Sequence, residues 1–386
     1  MKSKITTYCF LLAAFYLISC GQNNSAQNAD TTKSKTDTTI VNSASDGKFN
    51  RIARYWSGLH DSENVELEKF SEWKTYSKNL DSSFAKLDRR KFAVINNWSK
   101  TELKSVNEKI NTVFYPFSGP DFYYANNFFP DAKRYIMVGL EPVGDAKKIE
   151  KLNDTSLNSY LKQIQNSLYA ITNFGFFRTI AMKENFNKEN LNGMLPLLYI
   201  FSTRRGYELQ SLQRITLNDD GNEKPYQKGD STEIKKKVKG VKITLVKNNK
   251  QQILYYFSFD LSNSNYKNHP EFEKFVMAQK DFTTYLKAAS CLMHKPYFSN
   301  VRNLILNNAT AVLQDDSGIP IKFLDTTKWN IQLYGSYNGV INLFKGDEQP
   351  ELKALYKDST LVKNLPFGTG YKFNKGTSNL QLAIRK

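Results

Sequence analysis

The chain has 386 residues, with 54 Lys and Arg against 37 Asp and Glu and a formal net charge of +17 at pH 7. That length suffices for one large domain or two intimate ones with a sizeable core, and 22 Tyr and 26 Phe supply it with aromatic bulk. Three Cys and three His exclude a disulfide framework and argue against zinc, since no second His or Cys stands at ligand spacing from His60, His269 or His294.

Lys2 and Lys4 give a positive start, and Tyr8 to Ile18 is an uncharged, mostly apolar run. It is too short for a permanent span and reads as a cleavable export signal. It closes on Leu17-Ile18-Ser19-Cys20, which resembles the lipobox of bacterial lipoproteins: a branched residue, a small residue before the cut, then the cysteine. The resemblance implies removal of residues 1–19, a diacylglycerol on the Cys20 thiol, and a lipid-anchored protein of the cell envelope. Gly21, in place of the aspartate that marks inner-membrane retention in enteric bacteria, favours the outer membrane. The late first acid, Asp30, favours its periplasmic face. Residues 20–47, rich in Asn, Ser, Thr and Asp, read as a flexible tether because they cannot bury enough apolar surface to order themselves. Residues 48–386 are the globular part. Export removes nucleic acid as a partner, and no nucleic-acid motif is present. The positive body then points to an anionic glycan or lipid, besides the membrane held through Cys20. Lys235 to Lys242 carries the densest charge and reads as a solvated loop before a strand.

In chain order, Val65, Leu67, Phe70, Trp73 and Tyr76 predict a helix between Ser62 and Leu87, and a second is expected from Arg90 to Asn107. Val113-Phe114-Tyr115 and Tyr135 to Val138, ended by Pro116 and by Gly139 with Pro142, predict buried strands. Leu157, Leu161, Ile164, Leu168 and Ile171 lie on one face of a helix, and Met194 to Phe201 is apolar on all sides. Alternation at Leu209, Ile215 and Leu217, at Val241 to Leu245 and at Ile253 to Phe259 predicts a mainly antiparallel group of strands. Helices are expected at Pro270 to Met293 and Ser299 to Asn308. Final strands are expected near Val312, Trp329 to Leu333 and Leu380 to Ile384. The class is α+β, a single large domain with flanking helices, and Cys291 reads as a small core residue.

Four blocks pack Gly, Pro, aromatics and carboxylates into sharp turns: Phe114 to Asp121, Gly139 to Gly144, Lys287 to His294, and Gln314 to Pro320. Through these blocks the mature chain resembles a family of exported bacterial proteins, which implies one integrated domain and no particular chemistry. Read from the residues alone, Asp121, Glu141, Asp315 and Asp316 are the candidate catalytic or binding acids, since loop carboxylates at strand ends are placed to meet a ligand. Asp and Gly are also what tight turns require. Arg204 and Arg205 are the candidate binding cations. No G-x-S-x-G elbow, P-loop or dinucleotide fingerprint is present, so no cofactor is implied. Two functions follow. One is an envelope protein that binds a glycan, a lipid or another envelope component. The other is a carboxylate-dependent enzyme of the glycan hydrolase type, which requires these separated acids to meet in one cleft.

Overall fold

In the computed structural model, residues 47–147, 149, 154–173, 191–226 and 237–386 are described. The leader, Cys20, the tether through residue 46, and Lys235 and Lys236 lie outside them. In the described residues eleven strands form one sheet: β1 (Thr112–Tyr115), β2 (Arg134–Gly139), β3 (Glu208–Leu217), β4 (Glu223–Pro225), β5 (Lys239–Lys247), β6 (Lys250–Ser258), β7 (Phe282–Leu286), β8 (Ala311–Gln314), β9 (Trp329–Gly335), β10 (Val362–Lys363) and β11 (Asn379–Arg385). Their spatial order is β10-β9-β11-β8-β7-β1-β2-β6-β5-β3-β4.

The class is α+β, as expected, and the longest ladders, β3 with β5 and β5 with β6, are antiparallel. The centre differs from the flanks. Strands β8, β7, β1, β2 and β6 run parallel to one another. Their composition explains it: a strand covered by helices on both faces reads as a continuous apolar run rather than as an alternation, and every residue of β1 and β7 is buried.

Helices α1 (Lys48–Trp56), α2 (Ser71–Leu87), α3 (Ala93–Glu102), α4 (Lys104–Asn107), α5 (Phe122–Phe128), α6 (Asp154–Asn173) and α7 (Leu195–Arg204) belong to one face. Their core includes Trp56, Trp73, Phe84, Tyr123 and Leu198. The α6 residues Leu157, Leu161, Ile164, Leu168 and Ile171 are all buried there, as their spacing predicts. Met194 to Phe201 forms most of α7, buried all round. Helices α8 (Asn263–Tyr266), α9 (Pro270–Met277), α10 (Ser299–Asn308) and α11 (Pro350–Leu355) cover the other face through Phe272, Val276, Val301, Ile305 and Leu352.

The helix expected over Pro270 to Met293 is corrected: it ends at Met277, and Phe282 to Leu286 is β7, paired with β1 and β8. Lys280 and Asp281, both at φ 45°, break the helix, and Thr283-Thr284-Tyr285 is β-branched and aromatic, which favours a strand. The missed strand places Lys287 beside β1. No helix among the described residues is long and apolar enough to cross a membrane.

Candidate ligand-binding cleft

The connection from β1 to β2 runs through α5 on one face, whereas the connection from β7 to β8 runs through α10 on the other. Between β1 and β7 the crossovers therefore diverge, and in parallel sheets such a point opens a crevice beyond the carboxyl ends of the strands. A cleft of about 110 Å³ lies there. It is lined from the segments that follow β1 (Phe117 to Asp121), β2 (Leu140 and Glu141), β6 (Phe259 to Leu261) and β7 (Lys287 to Leu292).

Its floor is polar and buried. The Lys287 ammonium lies 2.5 Å from Asp121 Oδ2, and both side chains are almost wholly buried. The Tyr115 hydroxyl donates to the same oxygen at 2.9 Å. The ammonium also sits 3.3 Å from the centre of the Tyr124 ring, a cation–π contact. Asp121 Oδ1 is buried without a hydrogen-bond partner among the described residues. Burial pushes the Asp121 carboxyl above its ordinary range, and the Lys287 charge and the Tyr115 hydroxyl pull it back. Burial likewise lowers the Lys287 ammonium, against the opposing attraction of Asp121 and Asp315. Burial thus moves each group toward its neutral form, and the attraction between the two partners opposes that shift.

The walls are held in an uncommon backbone. Phe117 (φ 60°) follows β1, and Ala288 (51°), Ser290 (55°) and Cys291 (51°) follow β7, all non-glycine residues in the left-handed region. Gly139 lets neighbouring side chains close in: a Cβ there would stand 2.7 Å from the Tyr256 hydroxyl and 2.8 Å from Glu141 Oε2 and would displace both side-chain ends. Tyr256 donates to the Glu141 carbonyl at 2.8 Å, fixing the loop that carries this acid.

The candidate acids are thus partly gathered. Asp121 and Glu141 line the same cleft. Asp315 stands behind it as a brace: Oδ2 accepts from the Ala288 amide at 2.8 Å, and Oδ1 accepts from the Ser317 amide at 3.0 Å and hydroxyl at 2.5 Å. Burial, with Asp316 beside it, pushes its carboxyl up to about 6. Asp316 turns to β11, where Asn379 Nδ2 donates to it at 2.9 Å. Neither aspartate after β8 lines the cleft. Arg204 and Arg205 are not its cations. Arg204 bonds Asp81 at 2.5 Å and the Ser57 carbonyl, and lies over Phe84. Arg205 bonds Asn126, whose amide contacts Tyr135 and Tyr207. Tyr135 stands near the start of β2, at the opposite end of the parallel strands. The cation of the cleft is Lys287.

Cys291 is buried as a core residue, though in a left-handed turn rather than a helix, and burial pushes its thiol far up. Nearby, Ser290 Oγ contacts the Tyr371 hydroxyl at 2.8 Å and His294 Nδ1 lies 3.9 Å from Asp347, and His294 Nε2 is buried without a hydrogen-bond partner among the described residues, so no side-chain bond joins it to Ser290 or Cys291.

Lys287 and Tyr115 are the site residues that sequence reasoning missed. The available signal was a lysine directly after an apolar, threonine-rich run of strand length. Among known proteins, no family model, no curated protein and no solved structure matches the chain. Fold and cleft together define an α+β protein with a helix-covered mixed sheet and one small cleft at its switch point.

Proposed function

We propose that the chain is an envelope-anchored lipoprotein, held at Cys20, whose cleft binds a hydroxyl- or amine-bearing group of an envelope glycan. The observation that supports this reading is the charge of the lining: three carboxylates, Asp121, Glu141 and Asp260, line the cleft with one lysine, Lys287, which Asp121 engages. Carboxylates accept hydrogen bonds and donate none, so a sugar hydroxyl or an ammonium is favoured, while phosphate or uronate is repelled. The anionic partner suggested by the whole-chain charge does not suit this cleft. Phe117, Phe259 and Phe298 add flat apolar walls for the CH face of a sugar ring. A volume below the ~150 Å³ of an apolar cavity that takes benzene fits the edge of a single sugar residue.

The convergence of Asp121 and Glu141 favours a second reading, glycan hydrolysis by paired carboxyls. Asp121 Oδ2 is already taken by Lys287 and Tyr115 at the floor, so it does not stand free as a partner to Glu141, and binding is preferred. Calorimetric titration of the purified chain with N-acetylated chitotetraose, its de-acetylated form and polygalacturonate tests both. The first two should bind, the third should not, and Glu141→Gln should weaken binding by about tenfold, the loss of one charge-assisted hydrogen bond. Preference for the polyuronate, or no saccharide binding, overturns the proposal. Cleavage products lost in Glu141→Gln replace it with the enzyme.

A further inference from the structure

We propose that the amino-terminal edge of the parallel strands, opposite the cleft, docks on the headgroups of an anionic phospholipid surface. Strands β1, β2 and β6 begin at Thr112, Arg134 and Lys250. The segments before them enclose a broad, open basin of about 1040 Å³, lined by Lys100, Lys104, Lys109, Lys133 and Lys250 against two acids, Glu108 and Asp131. All five lysines are exposed. Lys104 lies 3.9 Å from Glu108, and among the described residues the other four are in no ion pair with an acid. Five ammonium groups around one depression repel each other, and a layer of phosphates relieves that repulsion without requiring a shaped pocket. The breadth of the basin suits a surface more than a single small anion.

The course of the chain agrees with this placement. Asn50, in the first turn of α1, accepts a hydrogen bond from the Leu209 amide at 3.2 Å. Leu209 pairs with Leu245, Leu245 pairs with Gln252, and Gln252 lines the basin. The chain therefore enters the domain on the basin's edge of the sheet, two strand spacings or about 10 Å along it. The segment that precedes this entry leads back to Cys20, the proposed anchor. A lipid at Cys20 would bring the domain to the membrane, and headgroups under the lysines would turn this edge toward it, with the cleft opening away toward the polymers of the envelope.

Docking rests on the basin and not on what the cleft binds. The test is co-sedimentation of the unlipidated full chain with vesicles of phosphatidylcholine alone and of phosphatidylcholine mixed with phosphatidylglycerol, at low and high salt. The variant K100Q/K104Q/K109Q/K133Q is compared with K322Q/K345Q/K353Q/K357Q, which makes the same charge change at exposed positions outside the basin. At roughly fivefold per lysine at an anionic surface, the basin variant should lose about a hundredfold or more for the mixed vesicles, the control a small fraction of that. The same four lysines changed to arginine should keep binding, which separates lost charge from lost folding. Equal loss in both glutamine variants, unchanged binding in the basin variant, or equal binding to both vesicle types overturns docking. Specific displacement by inorganic phosphate at matched ionic strength also overturns it, marking a free-anion site instead.

Discussion

Lys287, directly after β7, and Asp121, in the turn between β1 and α5, meet at 2.5 Å across the point at which the crossovers diverge. The pair is therefore both the floor of the cleft and a tie between the two halves of the parallel sheet. Removing one partner of a buried pair leaves an uncompensated charge and typically costs about 3–5 kcal/mol. Lys287→Met should lose about that much in urea unfolding, and the double variant Lys287→Met with Asp121→Asn should recover most of it. If the double variant unfolds as easily as the single, the pair is not electrostatically coupled.

Asp315 carries a pH dependence of opposite sense to the usual carboxylate. Burial first, and Asp316 second, place its carboxyl at about 6, above the unfolded value of about 3.9. The folded state then holds the proton more tightly than the unfolded chain. Its stability relative to an Asp315→Asn variant should rise as pH falls from about 6 to about 4, by on the order of 2 kcal/mol, and that gain is lost again as pH rises through 6. Unfolding free energies of both proteins across this range provide the check. A constant difference would mean that the Asp315 carboxyl is not shifted.

Much of the fold was legible because periodicity reports burial. The α6 stripe and the alternation at Val241 to Leu245 correspond to helix and strand as read. The parallel centre was not legible, because short apolar runs such as Val113 to Tyr115 do not say which neighbours they pair with, and the crossovers that decide it are long-range. The helix reading of Pro270 to Met293 failed because it ran on through apolar residues, whereas Phe282 to Leu286 is held as a strand by β1. That error hid Lys287, and with the true cation hidden Arg204 and Arg205 stood in for it. That Asp121 and Glu141 stand in loops at strand ends, where both line the cleft, was legible because turn chemistry after a buried strand is a local signal. Asp315 has the same local signal and a bracing role, which only its three hydrogen bonds reveal.

The anchor predicts a fractionation result. A Cys20→Ala chain should take up no lipid label and should leave the membrane fraction on a high-salt wash, since peripheral attraction by surface lysines is screened by salt and a covalent acyl anchor is not. Retention of the Cys20→Ala chain until detergent is added, with no modified amino terminus by mass spectrometry, would exclude lipidation at Cys20.

Ala288 offers the sharpest test of the strained rim. Its φ is 51°, and its backbone is pinned on both sides: the amide donates to Asp315 Oδ2 at 2.8 Å, and the carbonyl accepts from the Tyr371 hydroxyl at 2.9 Å. A left-handed conformation costs an alanine about 1–2 kcal/mol, a cost that persists where surrounding contacts over-determine the backbone. Glycine removes that cost but adds freedom to the unfolded chain worth roughly 0.5–1 kcal/mol. Ala288→Gly should therefore leave stability unchanged or raise it by up to about 1 kcal/mol, where an exposed helical alanine would lose about 1 kcal/mol on the same change. Saccharide binding should weaken in the same protein, because the turn carrying Lys287 and Ser290 would no longer be confined to one conformation. A loss of more than about 1 kcal/mol in Ala288→Gly would show that the turn after β7 stores no strain.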